Sequence, residues 1–191
     1  MLTAIVLTTI AAAPLGLIAR RLPRPAVGWI LAILPLVAFA FFAAQAPAVV
    51  GGARLVEATP WAPAAGVELR FSLDGLSLLF GLLVSGIGAS VFVYTAYYMA
   101  GDPGMGRFYM YLTVFMGSML GLVLADNILA LFVFWELTSV SSYLLVGYKH
   151  DYPEARRGAQ MGLLLTMGGG LALLVGMVLL GAAAGSYTIS E

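Results

Sequence analysis

A single glutamate, Glu136, stands in the middle of an apolar run, residues 128–148, that is long enough to cross a bilayer as a helix. It is the one acidic or basic residue well inside any such run of this chain. A helix places it about 12 Å from one end of the run and about 18 Å from the other. A charge at that depth costs at least about 2.5 kcal/mol on insertion scales. A carboxylate there must be protonated, paired, or wetted by an internal cavity, so the chemistry it offers is proton or cation handling. Helical periodicity gathers further polar groups around it: Thr138, Ser139, Ser142 and Tyr143 share its face and run toward one end of the helix, whereas Ser141 falls off that face. Trp135 sits beside it at mid-depth, far from the interfacial belt usual for tryptophan, and its indole N–H calls for an acceptor. The plain alternative is that Glu136 joins two helices through hydrogen bonds while the hydroxyls bond their own backbone. Intramembrane carboxylates are functional by default, and that favours the proton carrier.

The sole histidine, His150, follows in the polar segment from Lys149 to Arg157. Histidine changes charge near neutral pH, so His150 offers a proton entry at the mouth of the track, against the commoner role of a solvated loop residue. Asp74 precedes a helix and reads as its N-terminal cap, and Asp126, beside Asn127 in a short turn, reads the same way. Glu57, Asp102 and Glu154 read as ordinary solvated charges.

These residues need elements to hold them. Of 191 residues, 62% are hydrophobic and only 9% charged, too few charges to wet the surface of a soluble domain. With no cysteine, a disulfide, a thiolate metal site and a redox dithiol are all excluded, and nothing in the chain points to a cofactor or a metal. A net charge of +0 gives no reason to expect a nucleic-acid partner. The reading is an all-α integral membrane protein, one transmembrane domain over residues 1–191, in contact with the lipid bilayer. Its six transmembrane helices lie at about 2–19, 26–50, 76–100, 108–125, 128–148 and 159–181. The first lacks the basic n-region of a signal peptide and is followed by Arg20, Arg21 and Arg24, so it reads as an uncleaved span.

Alternating spans put Arg20, Arg21, Arg24, Arg107, Lys149, Arg156 and Arg157 on one side and only Arg54 and Arg70 on the other. The positive-inside rule makes the first group cytoplasmic and puts both chain ends outside. The external connection 51–75 alternates Val67, Leu69, Phe71 and Leu73 with Glu68, Arg70, Ser72 and Asp74, a strand pattern. Residues 53–57 can pair with it across a turn region at Pro60–Pro63, forming a short external β-hairpin between the second and third helices. Small residues four apart, Gly81/Ser85/Ala89, Gly117/Gly121 and Gly158/Gly162, predict close helix packing, and packing is also the favoured reading of Gly168–Gly170.

Several stretches resemble a known family. Phe132–Tyr148, containing Trp135–Glu136–Leu137–Thr138–Ser139–Val140–Ser141–Ser142, resembles the fifth-helix signature of the antiporter-like membrane subunits. These are the A and D subunits of Mrp-type multisubunit sodium/proton antiporters and the related proton-pumping subunits of respiratory complex I. Phe71–Ser77 is similar to the family's entry into the third helix, and the residues after Trp135–Glu136, with Ala155–Gln160, are most similar to the A-type branch. The resemblance implies that Glu136 is the family's essential helix-five glutamate, which works with a lysine on a seventh helix. This chain stops at Glu191, after six spans, so the resemblance implies that the lysine comes from a C-terminal continuation or another polypeptide.

The function expected is therefore a membrane subunit of a multisubunit Na+/H+ antiporter in the plasma membrane, a secondary transporter component rather than an enzyme. Glu136 carries the proton, Ser139 and Tyr143 belong to the polar track, and His150 stands at its entry. Other membrane subunits, or the chain's own continuation, are its partners, and Na+ and H+ its transported ions. A proton-pumping subunit of a complex I-like oxidoreductase and a non-transporting scaffold are the alternatives.

Overall fold

The computed structural model describes residues 1–18, 26–62 and 67–190. Arg20, Arg21, Arg24 and Pro63, which bear on the expected orientation and turn, lie outside the described residues. Among the described residues there are seven helices: α1 (Leu2–Ala11), α2 (Leu15–Ile18), α3 (Ala26–Val50), α4 (Gly75–Tyr98), α5 (Met105–Leu124), α6 (Ile128–Val146) and α7 (Pro153–Ala184). The strands β1 (Leu55–Ala62) and β2 (Val67–Leu73) stand between α3 and α4. Five of the helices are long and apolar enough to cross a membrane.

The first expected span is the exception, since it divides into α1 and α2. Pro14 explains the break, because proline has no N–H to donate and its ring collides with the preceding turn. The chain bridges the interruption with tighter bonds, from the N–H groups of Ala13, Leu15, Gly16 and Leu17 to carbonyls three residues back. Pro35 and Pro47 lie inside α3 without ending it.

The hairpin forms between the second and third long segments, as the alternation predicts, with β1 and β2 antiparallel and Leu55 opposite Leu73. Its first strand is longer than expected. Pro60 and Trp61 belong to β1 rather than to the turn, and the register shifts between Pro60 and Ala62. A two-stranded sheet has only edges, where proline is tolerated. Phe71 and Leu73 on the inner face are fully buried against a core that includes Phe42, Leu78, Leu120, Leu124 and Phe134. Asp74 caps α4 as expected: its carboxylate accepts from the Ser77 N–H at 2.9 Å, while the Ser77 hydroxyl accepts from the Asp74 N–H at 2.7 Å. The Ser77 N–H bond is the main reason the Asp74 carboxyl lies below its ordinary value.

α5 is central and packs on α1, α2, α4 and α6. Gly121 of α5 lets the Phe134 ring of α6 lie in the space a Cβ would fill, and Gly81 of α4 meets Phe42 of α3. The Gly158/Gly162 pair does not behave as predicted: a Cβ at either position would meet nothing within 4 Å. α7 packs against α6, and most of its length is uncovered, with Leu164, Leu165, Leu171 and Leu179 each more than 60% exposed.

Candidate functional site

α6 opens at Asn127, whose side chain accepts from the N–H groups of Leu129 at 3.0 Å and Ala130 at 3.1 Å. Asn127 therefore does the capping that the sequence suggests for Asp126. Glu136 lies about two and a half turns further on, and its Oε1 rests against Gly170 of α7. Oε1 is buried and has no hydrogen-bond partner among the described residues. That is not the arrangement of a carboxylate joining two helices through hydrogen bonds. The hydroxyls around it do bond their own backbone: Thr138 and Ser139 both donate to the Trp135 carbonyl, at 2.7 and 3.3 Å, and buried Ser141 donates to Leu137 at 2.7 Å. Each oxygen still has lone pairs with which to accept a bond from water. Trp135 is 41% exposed and lies on the outer surface.

Two adjoining spaces follow the predicted polar face. Ser139, Ser142 and Tyr143 of α6, with Gly162 and Thr166 of α7, line a groove of about 100 Å³. Tyr143 also borders a larger cavity of about 310 Å³, whose lining includes Arg107, Tyr111, Tyr148, His150, Arg156 and Gln160. Ser139 and Tyr143 thus share one space, and Tyr143 and His150 share the next. Thr138 and Glu136 line neither. The α5 and α7 contributors leave no signal in the sequence, because periodicity reports one helix at a time and cannot tell which faces meet.

Asp102 is not the free loop charge expected. Its Oδ1 accepts from the Tyr148 hydroxyl at 2.7 Å and from the Gly104 N–H at 2.7 Å. The Arg107 guanidinium lies 5.8 Å from the centre of the Tyr148 ring. The bond from Tyr148 is the main reason the Asp102 carboxyl lies below its ordinary value. Tyr148→Phe is expected to destabilise the protein by about 1 kcal/mol at neutral pH. A carboxyl lowered on folding contributes stability above its unfolded value, about 3.9 for aspartate, and loses it as pH falls through the folded value. The gap between variant and wild type in thermal unfolding should therefore be constant near neutrality and close below about pH 4. A gap that persisted at lower pH would count against the bond.

At the hairpin end, Asp126 is 2% exposed and binds Arg54 at 3.2 Å and Arg70 at 3.1 Å. It also accepts from the Ser190 hydroxyl at 2.9 Å. Glu57, expected to be solvated, accepts from the Met1 amine and from the Leu2 N–H, which lowers its carboxyl from the ordinary value. Glu154 is exposed in the first turn of α7, where a negative charge suits the helix dipole.

Comparison with known proteins gives two family matches. Residues 61–109 match the family described as NADH-Ubiquinone oxidoreductase (complex I), chain 5 N-terminus. Residues 125–191, which include Glu136, match the transmembrane family described as NADH:quinone oxidoreductase/Mrp antiporter. The A1 subunit of the Na(+)/H(+) antiporter of Staphylococcus haemolyticus is 38% identical over 188 residues, covering 98% of this chain and 23% of the relative. The A subunit of the Na(+)/H(+) antiporter of Alkalihalophilus pseudofirmus is 42% identical over 163 residues, 85% of this chain and 20% of the relative. A chain in the structure of the Mrp complex from Dietzia sp. DQ12-45-1b superimposes with a TM-score of 0.85 at 37% identity, over 100% of this chain and 20% of that one. The chain thus spans 20–23% of the length of these relatives.

Proposed function

We propose that this chain, which belongs to the antiporter-like membrane subunits shared by NADH:quinone oxidoreductases and Mrp antiporters, forms the N-terminal part of an A-type subunit in which Glu136 carries protons for sodium/proton exchange. The chain is a multi-pass membrane protein, and its other membrane subunits and longer continuation are part of the proposal. The observation that carries the reading is the buried Oε1 of Glu136, without a hydrogen-bond partner among the described residues, mid-way along α6 and facing α7. The groove and cavity at Ser139, Tyr143 and His150, which stop short of Glu136 itself, support a route toward it from one membrane face.

In this reading a proton enters at the cavity beside His150 and Tyr148 and passes along water held by the Tyr143 and Ser139 hydroxyls. It loads onto the Glu136 carboxylate, neutralising a charge that is expensive at that depth. Release needs a partner that favours the ionised form again, and a cation drawn close does this. The basic residues of α3–α7 are Arg107 in the first turn of α5 and Arg156 and Arg157 near the start of α7, none of them at the depth of Glu136. The cation is therefore assigned to the lysine that the family resemblance implies, outside these residues. Comparing sodium-dependent proton exchange of wild type and Glu136→Gln in the assembled complex tests the assignment.

The same reading fixes an orientation. Arg107 and Arg156 line the proposed entry, Lys149 and Arg157 adjoin its lining residues in sequence, and all four face the cytoplasm by the positive-inside rule, with the hairpin outside. The chain has no cysteine, so single cysteines report position cleanly. A membrane-impermeant thiol reagent applied to intact cells should label Ala53→Cys, before the hairpin, and leave Glu154→Cys unlabelled until the membrane is opened. The reverse pattern would overturn the orientation.

A further inference from the structure

Gly170 is buried where α7 meets α6, while Gly168 and Gly169 just before it face open space, with nothing within 4 Å of a Cβ built at either position. At Gly170 alone of the three the Cβ position is occupied, and the occupant is the Oε1 of Glu136. Oε2 stands 3.8 Å from the same point. The obstructing atom is the tip of a flexible side chain and not the backbone of α6. A methyl group at 170 therefore leaves the two helices where they are and forces the carboxylate to move. Thr166, one turn earlier on α7, lines the groove with Ser139 and Tyr143, so a carboxylate seated at 170 lies in line with that groove along the helix pair.

We infer that Gly170 is a positioning residue for proton transfer, its missing side chain forming the seat that holds the Glu136 carboxylate one helical turn beyond the groove. The inference rests on Glu136 being the proton carrier. Proton transfer needs donor and acceptor within hydrogen-bond reach, directly or through one water. A displacement of about 1 Å lowers rates by up to about 100-fold. Gly168 and Gly169 provide controls in the same run, because a Cβ at either meets no atom of the described residues within 4 Å.

The experiment uses the assembled complex in vesicles, with sodium-dependent pH change measured across a range of pH and subunit content checked on the same membranes. Gly170→Ala should slow exchange roughly 10- to 100-fold and shift the midpoint of its pH profile, while Gly169→Ala behaves as wild type. Glu136→Asp, shorter by one methylene, has room beside an alanine, so adding Gly170→Ala to Glu136→Asp should cause no further loss. Wild-type exchange by Gly170→Ala overturns the inference. An equal fractional loss in the Glu136 and Asp backgrounds also overturns it, since packing alone would act in both. Should Gly170→Ala lower subunit content, recovery of content with Glu136→Asp supports the seat and failure to recover overturns it. Glu136→Gln measured in parallel separates the two ideas: normal exchange there removes the carrier itself, whereas its loss beside a wild-type Gly170→Ala removes only the seat.

Discussion

Glu136→Gln is expected to reduce sodium-dependent proton exchange at least about 100-fold, the scale of a lost acid–base group, with unchanged amounts of every subunit in the membrane. Glutamine keeps the length and nearly the shape of the side chain, so it still fits against Gly170. It also gives up no hydrogen bond at Oε1, because Oε1 has no partner among the described residues. The substitution therefore removes ionisation and little else. Glu136→Asp keeps the acid and withdraws it by one methylene, so it should retain part of the activity. The readout is the pH change in vesicles of the assembled complex on adding sodium, normalised to subunit content. Wild-type exchange by Glu136→Gln at normal content would end the proton-carrier reading. Loss of assembly would return Glu136 to a role in joining helices.

The parts of this architecture legible in the sequence are those set by one segment's own pattern. Unbroken apolar runs place α3 at Ala26–Val50 and start α6 at Ile128, although the cap of α6 is Asn127 and not the Asp126 that the sequence suggests. Strict alternation over Val67–Leu73 writes β2, because only one face of the hairpin is covered. Composition places the first apolar helical segment but does not register that Pro14 lacks a donor, and the helix is interrupted there. Glu136 is visible because a carboxylate in a mid-apolar run is anomalous without any partner being known. Its seat is not, since Gly170 differs from Gly168 and Gly169 only through what stands opposite it on α6. Arg54 and Arg70 read in the sequence only as charges that set orientation. That they converge on Asp126, 72 and 56 residues away in sequence, depends on how the hairpin folds back over the turn between α5 and α6.

That convergence carries a large stability effect. Asp126 accepts from Arg54, Arg70 and Ser190 through its carboxylate, its N–H donates to the Arg70 carbonyl at 2.8 Å, and its carbonyl accepts from the Ile189 N–H at 2.9 Å. One buried residue thus ties the segment before β1, strand β2, the α5–α6 turn and the segment after α7. Removing one member of a buried charge pair costs about 3–5 kcal/mol, because the opposite charge is left without compensation. Asp126→Ala should fall near 3 kcal/mol, roughly the lower end of that range, since Arg54 is 42% exposed and regains water more readily than Arg70 at 26%. Arg54→Ala, at the more exposed arm, should cost at most about 1 kcal/mol. Thermal unfolding of the detergent-solubilised complex measures both, and the expected order is a large loss at Asp126 and a small one at Arg54. Exchange per assembled complex should stay at the wild-type level in each, because the cluster lies at the hairpin end of α6 and the proposed route leads from Glu136 toward the other end. Equal small losses for both variants would mean that Asp126 is not the centre of the network. Normal stability with abolished exchange would move Asp126 onto the transport route.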